Sequence, residues 1–248
     1  MTWDEFNKLH ENESSKAVKV FRIAIMRHFE KMLEAAQDNN FNNLDLVLNR
    51  VSSEDIKKAF IKIYQTSGLK AGFIAYDEMT GQKKKARMYA GDTNVRNNWL
   101  SLLEGIALDE TIPASGAILT TSQEIFIKFV DAAISEGKTL AQISAGLRNK
   151  FKELLPWRSW NIARTETLSA LNYGSEIGAE QTGFNYKKTW VATLDGRERQ
   201  AHRNATGQTV DRFSSFIVGG EIMKFPGDPS ASPENRVNCR CTVTREVI

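Results

Sequence analysis

Cys239 and Cys241 are the two cysteines of this 248-residue chain, and they flank Arg240 in a C-x-C. His202 is one of only three histidines and belongs to the same C-terminal segment. On an extended strand, residues two apart lie on one face, about 7 Å from each other. That is awkward for a disulfide but a workable bite for one soft metal ion after some local bending. His202 is the natural third ligand, and Asp195 or Asp228 could supply a fourth, with zinc as the candidate cofactor. Simple packing competes with this reading, because cysteine is among the most buried residue types.

A second chemistry uses overlapping residues. Arg199 and His202 are three apart and share a face if they lie on a helix. With Asp195 and Asp228 they form a candidate acid–base or phosphate-handling set, as a metal-dependent hydrolase or nuclease would need. Asp195 also opens a D-x-x-E pattern with Glu198, which predicts a helix N-cap there, and Arg197 points elsewhere. Upstream, Arg164 and Glu166 are two apart and do not face each other on a helix. If buried, each needs a partner from another segment, and Asp228 and Glu234 are candidates. Phe225-Pro226-Gly227-Asp228-Pro229 reads as a rigid tight turn whose role is shape. Trp190, Gly207 and Asn238 complete the spaced set.

The elements that must hold these residues are mostly helices. From Phe6 to Gln37 there is neither Pro nor Gly, and apolar residues from Ala17 to Leu33 recur at helical spacing. A short helix over about 41–49 follows. Another begins after Ser52 or Ser53 and continues through Gly68 and Gly72 to Tyr76, and Thr80-Gly81-Gln82 breaks it. A solvated Lys83-Lys84-Lys85 run with Arg87 comes next. Helical signals return over Val95 to Ile106, and Pro113-Ala114-Ser115-Gly116 predicts a loop. Thr121 to Glu124 and Thr139 to Gln142 each fit a capping box that opens a helix. Gly137 stops the first of these, and Pro156 opens one further helix, to about Gln181. After Gly183 come a strand over Lys187–Thr193, a short helix from Asp195 to about Asn204, and a hairpin around Gly219-Gly220. A closing strand runs over Cys239–Val247. The expected fold is α+β, with a mainly α-helical N-terminal body and a small C-terminal module of short antiparallel sheet plus one short helix. The expected division is 1–138 and 139–248, the second region being helical to about 183 and α+β over 184–248.

Composition narrows the function. An apolar content of 41% and a charged content of 25% predict a real core. Residues 1–150 hold 20 Lys and Arg against 19 Asp and Glu, and the remainder 13 against 11, so neither part is a basic nucleic-acid module. No apolar run approaches the ~20 residues of a membrane span. The N-terminus lacks the basic start and apolar stretch of a signal peptide, which predicts a protein made and kept in a reducing cytoplasm.

The ordered motifs W-x₄-D-x-R-x-R-x-x-H-x₄-G, F-P-G-D-P and N-C-R-C, from Trp190 to Cys241, resemble the Mu F-like, SPP1-type family of phage head morphogenesis proteins. These are also called minor head or minor capsid proteins. The Ala163-Arg164-Thr165-Glu166-Thr167 helix with Asn172 is similar to the family's entry helix, and the resemblance covers roughly Thr139 to Val243. It implies a virion component, made in the host cytoplasm and placed inside the head or at its portal vertex. Its partners would be the portal protein, the major capsid protein or both. Weak contact with packaged DNA is a further expectation, and a DNA-associated internal virion protein is the alternative. Glu198 stands where the family more often has a small hydroxyl residue. No toxin-like extension follows Cys241, so fused-effector relatives are not the expected model.

Overall fold

The computed structural model describes residues 1–81 and 93–248, with residue 93 and residues 109–115 described by backbone only; the Lys83–Lys85 run with Arg87 lies outside the described residues. Among the described residues, six α-helices come first: α1 (Trp3–Asp38), α2 (Leu44–Leu48), α3 (Glu54–Ile63), α4 (Leu69–Thr80), α5 (Thr93–Ser135) and α6 (Leu140–Glu180). The module follows as β1 (Tyr186–Val191), α7 (Gln200–Ala205), β2 (Thr209–Asp211), β3 (Phe216–Val218), β4 (Glu221–Met223), α8 (Pro233–Arg236) and β5 (Thr242–Val247). This is the α+β architecture expected from the sequence. Among the described residues, no helix is long and apolar enough to cross a membrane.

Helix α1 forms because its apolar face is uninterrupted and its start is capped. The Thr2 hydroxyl accepts from the Glu5 N–H, and the Glu5 carboxylate accepts from the Thr2 N–H. The buried face carries Phe21, Ile25, Phe29 and Leu33. Helix α2 starts later than the pattern suggests, because Asn40, Phe41 and Asn43 adopt left-handed backbone. Helices α3 and α4 are one continuous rod, joined by a π-helical turn over Tyr64–Gly68.

Three readings change in the long helices. Helix α5 passes straight through residues 113–116, where a loop is expected. On either side of that stretch, Trp99 and Leu103 are buried in one hydrophobic cluster and Phe126 and Val130 in another. Thr121 is therefore no cap: its hydroxyl donates back to the Ala117 carbonyl at 2.8 Å. Pro156 lies inside α6 and does not open it. Pro156 and Lys152 sit on the exposed face, so the carbonyl that the missing N–H would have served is open to water. On the buried face Leu147, Phe151, Leu155 and Ala163 hold the helix together, and the Phe151 ring stacks on Phe29 with centroids 4.1 Å apart. The capping box at Thr139 and Gln142 is present as expected.

The module's main sheet has the order β2-β1-β5, all antiparallel, with Trp190 opposite Val243. β3 and β4 form a separate hairpin whose two-residue loop, Gly219-Gly220, has φ of 61° and 85°. Strand β2 is too short and too polar to stand out in the sequence. One hydrophobic cluster joins body and module: Phe6 and Leu9 of α1 and Leu168 and Leu171 of α6 pack with Trp190, Phe216, Phe225 and the two cysteines.

His10 lies at this joint. Its Nε2–H donates to the Arg164 carbonyl at 2.9 Å, and its Nδ1 is buried without a partner. Burial pushes the imidazole down to about 4, with Arg164 and Arg240 adding to the effect against the Arg164 carbonyl bond. Because the folded value lies below the unfolded one of 6.5, neutral His10 contributes stability above pH ~6.5, and that contribution is lost as pH falls towards 4. The expected loss is on the order of 3 kcal/mol. Urea unfolding at pH 7 and pH 4 should show a smaller pH effect in His10→Gln than in the parent. Equal effects in both would refute the assignment.

Candidate functional site

His202 comes from α7, and the two cysteines come from the bend just before β5, not from the strand itself. The bend matters because it draws the sulfurs closer than a strand would. His202 Nδ1 lies 3.5 Å from Cys239 Sγ and 3.3 Å from Cys241 Sγ, and the three atoms all fall within 4.8 Å of one another. All three residues are about 2% exposed, and both cysteines are free. The Cys241 N–H points at Cys239 Sγ at 3.4 Å. The Trp190 ring stands edge-on to the imidazole, with centroids 5.8 Å apart.

Burial opposes ionisation of Cys239, but donation from Cys241 and His202 outweighs it and holds this thiol well below the ordinary range. Donation to Cys239, and then burial, pushes the Cys241 thiol up. Of the two thiols, Cys239 is thus the readier to ionise. Beside it is an opening of about 20 Å³, lined in part by Thr193, Arg199, Asn238 and Arg240. That is room for one water, far below the ~300 Å³ of a small-molecule pocket.

The other named residues build the frame. Asp195 does not cap α7, because Arg199 holds the N-cap position. Its carboxylate instead accepts from Arg240 at 2.8 Å and from Arg197 Nε at 3.0 Å, and these two cations hold its pKa well below the usual carboxylate range. Arg199 donates to the Val237 carbonyl and lines the same small opening as His202. Asp228 is turned into its own loop, accepting from the Lys224 and Ser230 N–H groups and the Ser230 hydroxyl, and is outside the His–Cys cluster. Gly207 takes φ 84° at the turn after α7, where the Gly207 N–H donates to the Trp190 carbonyl.

Helix α6 grips the proline turn and the cysteine bend. The Ser169 hydroxyl donates to the Gly227 carbonyl at 2.6 Å, and the Asn172 amide donates to the carbonyls of Pro226 and Cys241. Gly227 has φ 80°, and the Asp228 N–H closes the turn onto Phe225; Pro229 follows directly. Asn238 takes φ 56°, its N–H donating to Thr165 and its amide to Asn161. Buried Glu166 pairs with Arg236 at 2.6 Å, a partner of the correct sign that replaces the expected Asp228 or Glu234. Arg164 lies over the Trp160 ring. Sequence reasoning missed Arg236, Ser169 and the buried Glu176, Lys188 and Arg245 group. The one available signal was that Lys188 falls at an inward position of β1.

The model of the Phage Mu protein F like protein family matches residues 125–244. Over 96% of its length it is similar, at 25% identity, to the minor head protein of Bacillus phage SPP1, of which it covers 74%. It is also 35% identical over 116 residues, or 46% of the chain, to an NAD(+)–arginine ADP-ribosyltransferase of Enterococcus faecalis. It spans only 23% of that protein. No solved structure matches the chain.

Proposed function

We propose that this protein is a minor head protein of a tailed double-stranded DNA phage or prophage, acting in head morphogenesis beside the portal vertex. The observation that carries this reading is the similarity to a phage minor head protein along nearly the whole chain, N-terminal helices included. The site supports it: its polar groups brace one another, and its opening is too small for a substrate. Particles assembled without the protein should be defective in DNA content or infectivity. Normal values for both would refute the role.

The helical body supplies a surface for a head partner. A groove of about 940 Å³ runs between α1 and α3. Its lining includes the apolar Ile23 and Ala59 and the basic Lys19, Arg27 and Lys62. Glu13 on its wall is already paired with Lys16 and Lys70, each at 2.8 Å, so the lining stays net positive. A lining both apolar and basic fits an acidic amphipathic helix of the portal or major capsid protein. Lys19→Glu with Lys62→Glu is expected to cut co-purification with those proteins by at least about tenfold, with stability changed by no more than ~0.5 kcal/mol. If duplex DNA retention fell instead and protein capture did not, the groove would be a DNA contact and this reading would fail.

A further inference from the structure

We propose that His202 Nδ1, Cys239 Sγ and Cys241 Sγ bind one zinc ion, with a water in the fourth position. Zinc bonds of about 2.3 Å to sulfur and 2.0–2.1 Å to nitrogen, at tetrahedral angles, place nitrogen about 3.6 Å from each sulfur. The imidazole nitrogen lies 3.5 Å and 3.3 Å from the two sulfurs. One nitrogen thus faces two thiols at nearly equal distances, as a shared ion requires. The three ligand atoms converge with no disulfide between the cysteines and with all three residues buried.

The surroundings complete a thiolate site. The Cys241 N–H donates to Cys239 Sγ, the kind of outer contact that steadies a metal-bound sulfur. Arg240, its guanidinium held by Asp195, lines the same opening as the two sulfurs. With Nδ1 as the ligand, Nε2 carries the imidazole proton, and it is the nitrogen left without a hydrogen-bond partner. The opening of about 20 Å³ has room for the single water that completes four-coordination. Two soft sulfurs and an imidazole select zinc over magnesium or calcium, which take oxygen ligands.

The ion would tie α7 to the entry of β5, closing a loop from His202 to Cys239. A module this small has little core of its own, so one such tie fixes its shape. It also goes beyond the head-protein role, which requires no metal.

The test uses the full chain purified under reducing conditions. Elemental analysis should give one zinc per chain. A strong chelator should lower the melting temperature by on the order of 10 °C, and added zinc should restore it. Cobalt exchanged into the parent protein should give sulfur-to-metal charge-transfer absorption. Cys239→Ser should lose both the zinc and the absorption, while His202→Cys, which keeps three ligands, should retain zinc. Because Cys239→Ser could simply unfold, the chelator and cobalt results on the parent stand independently. Less than about a tenth of an equivalent of zinc after reconstitution, with no response to chelator, would overturn the proposal.

Discussion

Gly174→Ala is expected to destabilise the protein by about 3 kcal/mol or more, lowering its melting temperature by roughly 6–12 °C. The rod formed by α4 and the π-helical turn before it touches α6 backbone to backbone. A Cβ on Gly174 would stand 1.9 Å from the Gly68 carbonyl oxygen, and one on Gly178 would stand 2.0 Å from that of Gly72. Glycines four apart on each helix therefore mesh over one turn. The obstructing atoms are main chain inside a helix, so no rotamer change relieves the clash. The helices must part, which would open the packing of Trp99, Leu103 and Ile177 on that side. Against this, alanine gains only about 1 kcal/mol in helix propensity. Gly105 is the control: a Cβ there meets nothing within 4 Å. Gly105→Ala should stabilise by about 0.5–1 kcal/mol. Thermal and urea unfolding of the two variants should move in opposite directions. A Gly174→Ala protein that melts with the parent would show that the helices do not meet this closely.

That contact shows where sequence reasoning stops. Gly68 and Gly72 read only as a local cost within a helix, because the reason for them, the opposing pair at 174 and 178, lies about a hundred residues away. Local signals with a local cause were legible. The apolar face of α1, the Thr139 capping box, the Gly219-Gly220 hairpin and the Phe225–Pro229 turn each follow from a few neighbouring residues. Punctuation by proline misled wherever tertiary packing outweighed it. Pro156 sits on the solvent side of α6, and the seam from Leu147 to Ala163 continues regardless.

The site divides the same way. Residue type and the C-x-C spacing picked out His202, Cys239 and Cys241. Their convergence depends on a bend before β5, held by Asn172 from α6 and by the left-handed Asn238. Asp195 and Asp228 looked equally suitable as ligands. Each is instead committed to neighbours, Asp195 to two arginines and Asp228 to its own turn, and pairings of that kind leave no mark in a linear sequence.

Glu176→Ala should be among the most damaging single changes in the module, costing about 3–5 kcal/mol. Lys188 and Arg245 are direct cross-strand partners on β1 and β5, and both point inward against α6. Like charges opposite each other in a buried sheet face repel. Glu176 resolves this by accepting from Lys188 Nζ at 3.1 Å with one carboxylate oxygen and pairing with Arg245 through the other. The three side chains are 3–8% exposed, so water screens them little. Removing the carboxylate leaves two uncompensated cations facing each other. Removing one cation has a different consequence. Lys188→Met leaves a balanced Glu176–Arg245 pair and strands only the Lys224 carbonyl, which Lys188 serves at 2.9 Å. That change should cost about 1 kcal/mol. The double variant should recover part of the loss seen in Glu176→Ala alone, since it carries a single buried cation. Melting temperatures of the three variants decide the matter, with Glu176→Ala expected to fall by about 10 °C or more and Lys188→Met by only a few degrees. Equal losses in both single variants would mean that the group acts through shape and not through its charge balance.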